Sequence, residues 1–176
     1  MNGKQALAQA RETFPATRDL VYLDAAAVSL ISQPVHDTVR SFLDLCIIPS
    51  APDASQHHRA MDAMRRRAVQ EAARLLNAQE DEVALVESTT HGLNIAANAI
   101  PLEAGDKVLV ADTEFLQVAI PWKVKESTVG IEVVPVRTGP DGILPTEHFL
   151  EAMDARTRVV CVSSVQWCSG YRIDLA

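Results

Sequence analysis

Ser88, Thr89 and Thr90 follow the short apolar run Val83-Ala84-Leu85-Val86 and Glu87, and they precede His91-Gly92-Leu93-Asn94, where a helical pattern begins. A strand feeding directly into small polar residues at a helix start leaves backbone N–H groups without intrahelical acceptors. The hydroxyls and the helix dipole then add to the pull on an anion. Such a corner suits the phosphate of a ligand. The same three residues also suit plain capping, because a Ser or Thr oxygen accepts from the amides of the first helical turn. The local sequence leaves both readings open.

No other group of reactive residue types is as suggestive. His57-His58 have no second ligand pair at metal spacing and read as solvated. Arg65-Arg66-Arg67 point three ways around a helix, as a solvated face or a contact between protomers. His91 is placed to approach a ligand or to be exposed, and His36 and His148 carry no signal. Cys46, Cys161 and Cys168 are an odd set without a CxxC pair, expected as reduced thiols. Cys46 and Cys161 lie in apolar runs and are expected to be buried as small hydrophobes, whereas Cys168 falls in a turn containing Ser and Gly where a thiol can be accessible. Lys4, Lys107, Lys123 and Lys125 are the lysines of the chain, and Lys107, Lys123 and Lys125 are expected at the surface.

The elements that must position these residues fall into two parts, an N-terminal helical and entry segment over 1–77 and an α/β part over 78–176. In the first, a polar helix ends at Pro15, and Leu20-Val21-Tyr22-Leu23 is a short extended run. Val35, Val39, Phe42, Leu43 and Cys46 then recur at helical spacing behind Pro34. The segment 49–54, with two prolines and an Asp, is a loop, and a long Ala- and Arg-rich helix runs from Ser55 to about Asn77.

In the second part, β-branched runs alternate with helical stretches: Val83–Val86, 90–100, Val108–Ala111, 115–127, Ile131–Val136, 146–154 and Val159–Ser163. Runs that are apolar almost throughout belong to strands covered on both faces, so a mostly parallel sheet with flanking helices is expected. Gly105-Asp106 and Gly139-Pro140-Asp141-Gly142 supply turns.

Composition narrows the classes. The chain has 176 residues, 48% of them hydrophobic, enough for a globular core. A formal charge of -7 argues against a non-specific grip on nucleic acid or an anionic membrane. The N-terminal stretch is not a signal peptide and no apolar run reaches spanning length, so a cytoplasmic protein is expected.

Four motifs occur in order: Tyr22-Leu23-Asp24-Ala25-Ala26; Glu87-Ser88-Thr89-Thr90-His91-Gly92-Leu93-Asn94; Asp112-Thr113-Glu114-Phe115 with Pro121-Trp122; and Ser163-Ser164-Val165-Gln166-Trp167-Cys168-Ser169-Gly170. This order resembles that of class V aminotransferases, cysteine desulfurases and their epimerase-like relatives, which use pyridoxal 5'-phosphate (PLP). The resemblance covers about residue 20 to 176 and implies part of the fold type I large domain. It also implies that Thr90 and nearby amides, with Ser88 and Thr89, hold the cofactor phosphate. Asn94 matches the family's Asn in an orienting or a ligand-contacting role.

Phe115 stands where desulfurases carry a His that stacks on the pyridine ring, and a Phe face can still stack but has no exchangeable proton. Gln166 is the hydrogen-bonding candidate where the family places an Asn on the ring hydroxyl. The resemblance further implies an amino-acid substrate, a homodimer or a complementing chain, and no metal. The family's pyridine-pairing Asp and cofactor-binding Lys are expected beyond the Gly170 turn, after Ala176, with Asp174 read as a helix cap. The strand at 83–86 is expected to lack its family neighbours, so the isolated chain is expected to be partly disordered, to aggregate or to be completed by another chain.

Three functions are therefore carried forward. The first is the N-terminal part of a PLP-dependent transferase, lyase or epimerase, inactive alone. The second is a non-catalytic binding or regulatory module of that fold. The third is an unrelated doubly wound nucleotide-binding domain, disfavoured because Ser-Thr-Thr-His-Gly replaces a Gly-rich turn.

Overall fold

The computed structural model describes residues 3–47 and 53–175, which divide at Ala84/Leu85 into two compact units. The first unit is helical: α1 Gly3–Glu12, a 3-10 turn at Pro15–Arg18, α2 Gln33–Ile47, α3 Ala54–Leu76 and a second 3-10 turn at Glu80–Glu82. Asp53 starts α3 by accepting the Gln56 amide at 2.8 Å. Asn77 ends it in the left-handed conformation (φ 53°), returning its amide to carbonyls of the last turn. Most of the loop expected at 49–54 lies outside the described residues.

The helices of this unit form where their spacing predicts, but among its described residues only Ala73 is buried. Val35, Val39, Phe42 and Leu43, the apolar stripe of α2, stay exposed. Cys46, expected to be buried, is also exposed, because no element of the unit covers that stretch of α2.

The second unit is an α/β sandwich around a parallel sheet: α4 Thr89–Ala99, β1 Lys107–Ala111, α5 Leu116–Thr128, β2 Glu132–Val136, α6 Thr146–Ala152 and β3 Thr157–Cys161. The strand order is β2-β1-β3, with Lys107 to Ala111 in register with Glu132 to Val136. On the other side, Val108, Leu109 and Val110 pair with Val159, Val160 and Cys161.

Strand alternation sends β1 into two cores. Val108 and Val110 pack with Ala97 of α4, Trp122 of α5 and Val133 on one face. Leu109 and Ala111 pack with Val136, Leu144, Phe149 of α6 and Ile173 on the other. Every residue of β1 is buried, as expected of a central strand covered on both faces. At β3 coverage is incomplete, with Val160 38% exposed and Cys161 half-buried. Pro135, which cannot donate to a ladder, is accommodated because β2 is an edge strand among the described residues.

Two further expectations need correction. Val83–Val86 is not a strand, because among the described residues it has no partner to pair with; Val83 itself is extended (φ -116°, ψ 120°). Lys107 is buried rather than at the surface, since its Nζ reaches the Asp154 carboxylate at 2.5 Å and the Ala152 carbonyl at 3.4 Å. Burying an ammonium is tolerable only with such a partner.

Candidate cofactor site at the strand mouth

In an open parallel sheet, ligands bind outside the carboxyl ends of the strands, at the point where successive connections leave in opposite directions. Here β1 connects to β2 on one side, and β2 connects back across β1 to β3 on the other, so that point lies between β1 and β3. The two strands end in Asp112-Thr113-Glu114-Phe115 and Val162 to Trp167, two of the motifs singled out by sequence.

These loops are bonded to each other. Glu114, buried at the end of β1, accepts from the Ser163 backbone amide, from Ser163 Oγ at 2.7 Å and from Gln166 Nε2 at 3.0 Å. Thr113 Oγ1 donates to Gln166 Oε1 at 3.1 Å and lies 2.9 Å from Thr138 Oγ1. The loop after β2 joins through Asp112, whose Oδ1 accepts the Thr138 amide at 2.9 Å. Gly170 closes the turn behind Gln166 with its amide donating to the Gln166 carbonyl at 2.8 Å, and its φ of +70° suits glycine there.

Above this polar base stand two aromatic rings. Trp167 Nε1 donates to the Thr113 carbonyl at 2.9 Å, which fixes the indole, and Phe115 meets it edge to face with centroids 5.4 Å apart at 74°. Both rings remain open to solvent, Phe115 at 44% and Trp167 at 63%. Partly exposed aromatic rings on a hydrogen-bonded base are suited to packing against a planar ring.

The sequence-derived candidates thus separate. Phe115 and Gln166 come together at the mouth, but the Gln166 side chain is 1% exposed and engaged at both ends by Glu114 and Thr113. Ser88, Thr89 and Thr90 are carried by α4, which packs on α5, and no hydrogen bond among the described residues joins them to the mouth. Ser88 caps α4, its Oγ accepting the His91 amide at 3.1 Å. The amides and hydroxyls of Thr89 and Thr90 have no partner among the described residues, and both residues are exposed at the helix start. Asn94 turns back onto the Thr90 carbonyl at 2.8 Å.

Sequence reasoning passed over Glu114, Thr113 and Ser163, whose bonds between the loops after β1 and β3 span 49 or more positions of the chain. The one available signal was an acidic residue directly after a buried strand. Cys161 sits beneath the mouth, and burial pushes its thiol up from its ordinary value. Cys168 is exposed.

A parallel α/β unit with a polar-based aromatic mouth at the β1/β3 point is the framework of a ligand-binding fold. Within that class the assignment is specific: residues 21–176 match the aminotransferase class-V family, and the chain belongs to it. A cysteine desulfurase of Cronobacter sakazakii is 31% identical, the match covering 91% of this chain and 42% of the relative. A probable cysteine desulfurase of Methanothermobacter thermautotrophicus is 27% identical, covering 88% and 38%.

The crystal structure of an Escherichia coli cysteine desulfurase superposes with a TM-score of 0.80 at 25% identity, covering 96% of this chain and 43% of that one. A C-DES variant with glycine covalently linked to its PLP cofactor shares the fold with a TM-score of 0.85 at 16% identity, covering 94% and 43%. The chain spans less than half the length of these relatives.

Proposed function

We propose that this chain supplies part of the cofactor site of a PLP-dependent enzyme acting on an amino acid, of aminotransferase, lyase or epimerase type. Phe115 takes the face of the cofactor ring, and Thr89 and Thr90, with Ser88 holding the helix cap, take its phosphate. The observation that carries this reading is the exposed Phe115 ring at the carboxyl ends of two adjacent parallel strands, in a chain of this family. Bound PLP would act as an electron sink for bonds broken at an amino-acid Cα.

The donor set suits that cofactor. The unengaged amides and hydroxyls of Thr89 and Thr90 at the start of α4 match a phosphate's acceptor oxygens and negative charge. Phe115 offers a ring face and no proton, so a proton moved there comes from another group. This favours transferase, lyase or epimerase chemistry over the desulfuration named for the relatives. Gln166 belongs to the floor, because its carboxamide already has partners on both sides.

Within the α/β unit no lysine stands at the mouth: Lys107 opens β1 at the opposite end, and Lys123 and Lys125 are on α5. The cofactor-binding lysine is therefore assigned outside this unit, and the α/β unit by itself is inactive. That placement also favours the second reading, a non-catalytic module that retains the phosphate corner. A homodimer or a complementing chain fits the exposed apolar stripe of α2, and a cytoplasmic setting fits the reduced cysteines. Among the described residues no helix is long and apolar enough to cross a membrane.

Replacing Phe115 with Ala in the protein's native assembly tests the ring assignment. Loss of one stacked face should weaken PLP binding about tenfold by equilibrium titration, with the fold intact by circular dichroism. Unchanged affinity would remove Phe115 from the site.

A further inference from the structure

We propose that Glu114 is the positioning residue of the strand mouth: it sets the direction of a buried hydrogen-bond chain and thereby holds Phe115 and Trp167 in their edge-to-face arrangement. A carboxylate with three donors aimed at it only accepts. Ser163 N–H, Ser163 Oγ–H and Gln166 Nε2–H all point at Glu114, so the Gln166 amide must face it with its nitrogen. Gln166 Oε1 is then turned to Thr113, whose single hydroxyl proton is committed to it. The 2.9 Å contact between Thr113 and Thr138 must consequently run from Thr138 to Thr113. One buried acid orients four side chains on the loops after all three strands.

The aromatic pair is tied to the same residues. Phe115 follows Glu114 and opens α5, while Trp167 follows Gln166 and donates to the Thr113 carbonyl. Each ring is one residue from a side chain in the Glu114–Gln166 bond. Buried networks of this kind specify one arrangement when every member is satisfied, and among the described residues no buried side-chain atom here lacks a partner.

The geometry of the rings stands without any ligand. Only its consequence for the cofactor rests on the function proposed above.

Glu114→Leu removes the carboxylate that the three donors share while keeping an apolar side chain of similar length, so nothing fixes which end of the Gln166 amide faces it. The protein in its native assembly, without added cofactor, is compared with Glu114→Leu and with Ser163→Ala, which removes a single hydroxyl donor. The Trp167 signal is defined as the fluorescence and near-ultraviolet circular dichroism lost in Trp167→Phe.

At temperatures where all variants are folded, Glu114→Leu should abolish the aromatic-pair dichroism and raise acrylamide quenching of Trp167. Side-chain amide exchange at Gln166 should be faster by about tenfold to a hundredfold, the range for a bond to a charged group. Ser163→Ala should move the same readouts in the same direction by less. A residue that merely stabilised the fold would lower the melting temperature and leave these folded-state signals alone. That pattern in either variant overturns the proposal. If Glu114→Leu does not fold, unchanged signals in Ser163→Ala together with unprotected Gln166 amide protons in the wild type overturn it equally. Loss of the ring geometry with PLP affinity unchanged would leave the role of Glu114 standing and remove the proposed cofactor contact.

Discussion

Lys107 and Asp154 show how one buried charge makes a local site depend on pH. Asp154 hydrogen-bonds Lys107 Nζ, the Arg156 amide and the Arg156 guanidinium, and these contacts lower its carboxyl from 3.8 to about 2, the Lys107 bond first among them. A carboxyl depressed by folding adds stability that is fully present above its unfolded value and is lost as pH falls through the folded one. Asp154→Asn should therefore lower stability at pH 7. The gap from wild type should close between pH about 4 and about 2 in a denaturant series. A gap independent of pH would show that the ion pair is not its source. Arg156 extends the network to Glu132 at 2.7 Å, tying the start of β3 to that of β2.

Among the elements, β1 carries the unit because both cores close on it. Leu109 is fully buried in the core with Phe149 and Leu144, so in the native assembly Leu109→Ala should cost about 2–5 kcal/mol. Val160 on β3 is 38% exposed, and Val160→Ala should cost well under half of that in chemical denaturation. Equal costs would mean β3 is covered by something other than the described elements.

β1 to β3 and α4 to α6 were legible because apolar runs, turn residues and helical spacing are local signals. Residues 83–86 look like a strand by composition, but a strand is completed by a partner, which composition cannot supply. Lys107 read as a surface residue because the partner that permits its burial is 47 positions away. Glu114 was missed for the same reason, whereas Phe115 stood out through a family position. The capping role of Ser88 and the free groups of Thr89 and Thr90 divide between them the two readings the local sequence left open.

At the scale of the whole molecule, each unit leaves interaction surface available. Among the described residues, the helical unit buries only Ala73 and exposes the apolar stripe of α2, and the sheet of the other has both edges unpaired. Exposed strand edges and apolar stripes invite association. We expect the isolated chain in dilute solution to lack a cooperative unfolding transition as a monomer, by analytical ultracentrifugation and calorimetry on the same sample. One sharp monomeric transition would contradict that expectation.

We propose that Thr89 and Thr90 at the start of α4 hold a cofactor phosphate while Phe115 at the strand mouth meets the cofactor ring. The most direct test titrates PLP and pyridoxal, which lacks the phosphate, into the native assembly of the wild type and of a Thr89→Ala, Thr90→Val variant. PLP should bind at least about tenfold tighter than pyridoxal to the wild type, and most of that advantage should vanish in the variant while pyridoxal affinity stays the same. An undiminished preference for the phosphorylated form in the variant would place the phosphate elsewhere and contradict the assignment.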